Sequence, residues 1–165
     1  MLMEDEGIDL NRQDVKRRTP FYIACESGAD AIVQLLLVDN RVDPNLPDEH
    51  WRSPLHVVCT EGDNSIFEYL LASDKINFDI QDDLDQTPFY VMCMNNRLDL
   101  VRRTSYDLRF DKMTENSDGK SPLYIACENG HTELVEYLLE RVKGLVVPDE
   151  LFENRQINEI LDRYK

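Results

Sequence analysis

One seven-residue pattern returns at a fixed interval, and nothing else in the chain restricts its fold as much. Thr19-Pro20-Phe21-Tyr22-Ile23-Ala24-Cys25 recurs as Ser53-Pro54-Leu55-His56-Val57-Val58-Cys59, then as Thr87-Pro88-Phe89-Tyr90-Val91-Met92-Cys93. It recurs again as Ser121-Pro122-Leu123-Tyr124-Ile125-Ala126-Cys127, each step being 34 residues. A period of this length means like supersecondary units that bury their apolar faces only by stacking. Each copy reads as a helix start. A Thr or Ser hydroxyl accepts an orphan backbone N–H, and Pro follows where its missing N–H costs nothing. Turns follow at Glu26-Ser27-Gly28, Glu61-Gly62 and Glu128-Asn129-Gly130, with Gly suited to the left-handed residue past a helix end.

A second apolar run with helical spacing follows each turn. It comprises Ile32, Val33, Leu35, Leu36 and Leu37 in the first repeat, and Ile66, Phe67, Tyr69, Leu70 and Leu71 in the second. In the fourth it comprises Leu134, Val135, Tyr137, Leu138 and Leu139. An extended, Asp-rich segment such as Asn77-Phe78-Asp79-Ile80-Gln81-Asp82 leads to the next start.

On these residues the sequence resembles the ankyrin repeat family, whose signature is Thr-Pro-Leu-His-x-Ala. Repeat four, with Gly119-Lys120-Ser121-Pro122-Leu123-Tyr124-Ile125-Ala126 and Gly130-His131-Thr132-Glu133-Leu134-Val135, matches best. The resemblance implies an all-α solenoid of helix–turn–helix repeats joined by extended, hairpin-like loops. It also implies a protein-binding role on the concave face made by the loop tips and first helices. Tyr22, Tyr90 and Tyr124 stand where the family usually has His, so only His56 is expected to keep the family's imidazole hydrogen bond.

The expected organisation is a partial repeat over 1–18, four repeats over 19–148 starting near 19, 53, 87 and 121, and a C-terminal capping helix over 149–165. Met1 to Asp5 falls in register on Tyr69 to Ser73, as the end of a preceding second helix, so the chain reads as a fragment of a longer protein or as a short natural cap. Pro148 to Tyr164 reads as a helix with Ile157, Ile160, Leu161 and Tyr164 on its apolar face. No linker divides the chain. Repeat three departs, with Arg103-Thr104-Ser105 where its neighbours carry apolar residues and Asn96 at the Gly position. Its second helix is expected to end early or shift, with Leu108 and Phe110 replacing the lost core contacts.

Net charge is -15, which disfavours nucleic acid and anionic membrane surfaces. A protein partner of basic or mixed charge, or plain solubility, explains it equally well. No apolar run of about 18 residues is present, and the acidic N-terminus lacks a secretory segment. Cys25, Cys59, Cys93 and Cys127 hold one register. Helices packed about 8–10 Å apart cannot bring such a ladder onto one zinc at about 2.3 Å or into disulfides. Small buried side chains in a reducing compartment are expected, so the chain reads as intracellular, cytoplasmic or nuclear, and monomeric. No metal ligand set, cofactor site, phosphate loop or nucleophile elbow is found. Acid pairs such as Asp82-Asp83 read as solvated loop. No catalytic residue is assigned, and the chain is not read as an enzyme.

Projection by period places partner contacts on the fingers and first helices. The candidates are Lys16, Arg18, Glu26, Glu49, His50, Trp51, Arg52, Glu61, Leu84, Asp85, Gln86, Met94, Asn95, Lys120 and Glu128. Trp51, the only Trp, stands where repeat four has Gly119, and Trp dominates many interfaces. Its alternative is a ring packed on Leu84 or Val15. The fingers change from basic (Val15-Lys16-Arg17-Arg18) to acidic (Asp83-Leu84-Asp85-Gln86), which either orients a partner or is a solvated pattern. The reading is a protein–protein interaction module, scaffold or adaptor. The alternative is a regulatory or targeting domain of a larger enzyme, channel or secreted effector.

Overall fold

A computed structural model describes residues 7–149 and 152–165. Among them nine α-helices and no strand occur. They are α1 (Pro20–Glu26), α2 (Asp30–Leu37), α3 (Pro54–Glu61), α4 (Asn64–Ala72), α5 (Pro88–Met94), α6 (Leu98–Thr104), α7 (Pro122–Glu128), α8 (Thr132–Arg141) and α9 (Arg155–Leu161). The all-α helix–turn–helix class expected from the period is the class observed. The proposed second helix at Met1–Asp5 lies outside the described residues.

Each first helix starts as the Thr/Ser-Pro pair dictates. The hydroxyls of Thr19, Thr87 and Ser121 accept the N–H of Tyr22, Tyr90 and Tyr124 at 3.1, 3.2 and 3.2 Å. At Ser53 the cap is reciprocal: the Ser53 N–H donates to His56 Nδ1 at 3.1 Å, and the His56 N–H to Ser53 Oγ at 3.4 Å. The turn out of each first helix passes through a left-handed residue at Gly28, Gly62, Asn96 and Gly130. Asn is the non-Gly residue that bears this best, so the third repeat keeps the turn without glycine.

The chain forms two compact units, Met1–Asn77 and Phe78–Lys165, although the sequence carries no linker between them. The boundary falls in a loop between helix pairs, as expected where each repeat packs only on its neighbours. In the first unit α1 packs on α2 and α3, and α4 on α2 and α3. Phe21, Tyr22, Val33, Leu55, Val58, Ile66, Phe67 and Leu70 are buried there. In the second unit α5 packs on α6 and α7, and α8 on α7 and α9, around Phe89, Met92, Leu100, Val101, Leu123, Leu134 and Leu138. All four cysteines are buried.

Side-chain amides join consecutive loops. Asn11 accepts the Asp43 N–H at 2.8 Å and donates to the Arg41 carbonyl at 2.7 Å. Asn45, one period on, repeats this with Asn77 and Lys75, at 2.8 Å each. Lys75 Nζ in turn donates to the Leu37 and Asp39 carbonyls, at and just past the end of α2, at 2.9 and 3.0 Å.

Ile32 and Leu35 of the second apolar run are about half exposed, so α2 buries only Val33 and Leu36. Four expectations need correction. The early end of α6 is observed, but Leu108 is 96% exposed and replaces nothing. Its place is taken by buried Phe110, whose ring lies 4.8 Å from Phe78, and by Thr104, whose hydroxyl returns to the Leu100 carbonyl at 3.1 Å. The terminal helix starts later than position 149, because Asn154 caps it by accepting from Gln156 and Ile157. Ile157, Ile160 and Leu161 are buried as expected, whereas Tyr164 is exposed. Asp82 is not solvated loop but buried.

Candidate functional site

The fingers are ordered by a second 34-residue register invisible to hydropathy. At Asp14, Asp48, Asp82 and Asn116 the side-chain Oδ1 accepts the backbone N–H two and four residues on, at 2.9–3.1 Å. This is the local bonding that suits Asp and Asn to turns. Three residues past each brace the backbone turns left-handed: Arg17, Trp51, Asp85 and Gly119 have φ of 60, 58, 58 and 74°. Only the last is the residue type that adopts this freely. Neighbouring fingers are tied within each unit, by the Glu49 N–H to the Lys16 carbonyl at 3.0 Å and by the Ser117 N–H to the Leu84 carbonyl at 2.9 Å.

The second finger has the most elaborate base. Asp48 is 2% exposed. Its Oδ2 accepts the Tyr22 hydroxyl at 2.7 Å and the Arg52 guanidinium at 2.7 and 3.0 Å. Burial alone raises its pKa, but the Arg52 and Tyr22 hydrogen bonds, with the Arg52 and His50 backbone N–H groups, hold it below the usual carboxylate range. Burial and then the bond to Asp48 push the Tyr22 phenol up. Tyr22 at the family's usual His position therefore serves the finger of the following repeat.

The candidates divide into exposed and committed residues. Lys16, Glu49, His50, Glu61 and Asp85 are exposed, as is Arg52 although Asp48 holds its guanidinium; Leu84 and Trp51 are 51% and 54% exposed. Arg18 is held by Asp14 at 2.9 Å and Glu26 at 2.7 Å, and Lys120 by Glu128 at 2.7 Å. Asn95 donates to the Val91 carbonyl at 2.9 Å, and the half-buried Met94 offers its carbonyl to Asn129 and His131. Gln86 is 8% exposed and does not reach the surface, a correction to its place among the contacts.

Arg17 was missed. Its guanidinium carbon lies 4.9 Å from the Trp51 ring centroid, within cation–π reach. The signal was present, since Arg17 precedes Trp51 by one period. Val15 is not the ring's support; it is 98% exposed.

The family model described as Ankyrin repeats (3 copies) matches residues 1–82 and 55–149. No curated protein matches the chain.

Proposed function

Because this chain belongs to the ankyrin repeat family, we propose that it binds a partner protein through its finger tips and the exposed side of its first helices. Ankyrin repeats are generally protein-interaction modules and typically not enzymes. Trp51 is the observation that carries the finer reading. A non-Gly residue in the left-handed region costs about 1 kcal/mol, and the ring is 54% exposed at that position. The fold gains little from a Trp there. Strain of this kind concentrates where a surface is used. Arg17 stacks on the ring and fixes one face, leaving an aromatic anchor with adjoining charge. Trp and Arg are the residues that most often dominate binding energy.

The charge pattern supports an orientation. Arg18 is neutralised by Asp14 and Glu26, so Lys16 and Arg17 carry the first finger's positive charge. The partner presents an acidic group there and a basic group to Asp85 of the third finger. Complementarity of this kind acts mainly on association rate and is screened by salt.

A photo-crosslinking amino acid at position 16 tests the reading, with the same group at exposed position 156 as control. A discrete adduct is expected from position 16 only, and Trp51→Ala abolishes it. The purified partner then shifts Trp51 emission, and Trp51→Ala weakens its binding by about 2 kcal/mol or more. Equal adducts with and without Trp51 defeat the reading.

A further inference from the structure

The break in repeat three leaves apolar side chains outside the core. Past the short α6, Tyr106 is 72% exposed and Leu108 96% exposed. Leu108 occupies a register position held by Asn40 and Asp74 in the first two repeats, the polar types an exposed tip calls for. Tyr106 and Leu108 border a groove of about 550 Å³ whose lining includes the nearly buried Phe110 and Val142. The charged residues of its lining are Asp111 and Lys112, with Arg141 and Lys143 at and just past the end of α8. All of these residues lie in the second unit.

The charge around this groove runs against that of the chain. Net charge is -15 overall, yet the groove lining carries three cations, Lys112, Arg141 and Lys143, against one acid, Asp111. Lys112 is committed, because its Nζ donates to the Asp107 and Phe110 carbonyls. Arg141 and Lys143 are exposed and make no ion pair among the described residues. An apolar trough beside two such cations on an acidic chain selects against a basic ligand.

We propose that this groove binds an acidic linear segment of a partner protein, bearing one aliphatic or aromatic anchor. The anchor lies between Tyr106 and Leu108 over Phe110, and flanking carboxylates meet Arg141 and Lys143. A planar Arg fork suits bidentate carboxylate recognition. The site goes beyond the finger reading, since it uses none of the finger residues.

Fluorescence anisotropy with labelled ten-residue peptides tests it. The probe is an Asp/Glu-rich library with a central Leu or Phe. The controls replace the acids by Lys, or the anchor by Ala. Saturable binding of the probe alone is expected. Arg141→Glu with Lys143→Glu, and separately Leu108→Asp, each weaken it about tenfold or more, with circular dichroism and melting unchanged because every altered side chain is exposed. Trp51→Ala leaves this binding intact, so failure here is distinct from failure at the fingers. The proposal is overturned if the probe does not bind, if either control binds equally, or if the folded variants bind like the wild type. It is also overturned if the wild type sediments as a dimer that Leu108→Asp dissociates, because the occupant is then a second copy.

Discussion

At Asp48 one carboxylate accepts a phenol, a guanidinium and two backbone N–H groups. Replacing it by Asn leaves Arg52 and Tyr22 poorly matched and is expected to cost about 2–3 kcal/mol at neutral pH, read as a lower urea midpoint. Its pKa is lowered in the fold, as are those of Asp14, Asp107 and Asp111, and the Arg41 guanidinium takes Asp39 down to about 2. Depressed carboxylates stabilise the fold above their unfolded pKa of about 4 and lose that contribution as pH falls through the folded value. Stability should therefore decline from about pH 4 toward 2, and Asp48→Asn should flatten that decline. A second residue-level test uses the left-handed tips. Asp85→Gly should stabilise by roughly 0.5–1 kcal/mol and Gly119→Ala should destabilise by a similar amount. Thermal melts showing the same sign for both would refute the strain argument. Asp and Asn at these braces were readable as turn formers, but their shared 34-residue register was masked by the stronger apolar one.

Among the elements, the four helix starts were legible because N-cap, Pro and apolar residues are local and repeat in order. Thr87→Ala removes the hydroxyl that accepts the Tyr90 N–H. It should cost about 1 kcal/mol, seen as a shifted denaturation midpoint with an unchanged slope. The early end of α6 was legible, but the contacts that close it were not. α6 ends at Thr104, whose hydroxyl bonds back to Leu100, and the Ser105 hydroxyl lies 2.9 Å from that of Tyr137. The apolar residues beyond then divide, with Phe110 inside and Leu108 outside. Two apart, they would share one face of an extended segment, but the backbone turns between Thr104 and Phe110 and sends them opposite ways. α9 starts at Arg155 rather than near Pro148 because Asn154 supplies the cap.

Over the whole molecule, the cysteine ladder is a packing feature. Burial pushes the Cys25 and Cys127 thiols up to about 12, with a smaller contribution from Asp63 at Cys25, and burial raises Cys93 as well. The thiolate is the reactive form. Iodoacetamide at pH 8 should therefore label the native chain slowly and all four thiols rapidly in denaturant. Fast labelling of any one under native conditions would contradict the burial. No helix among the described residues is long and apolar enough to cross a membrane. With a net charge of -15, association with a partner that has a basic surface should slow as salt rises.

The sequence by itself determined the class, the four helix starts and the burial of the cysteines, because each depends on local chemistry repeated at one period. It also brought Trp51 to a finger tip. Only the tertiary structure decided which neighbour each side chain meets: Arg17 against Trp51, Tyr22 on Asp48, Gln86 turned inward and Leu108 left outside. These are contacts between residues distant in sequence or choices between two faces of a short loop. Periodicity gives a residue its register, but packing of the adjacent repeat decides whether that position is surface or core.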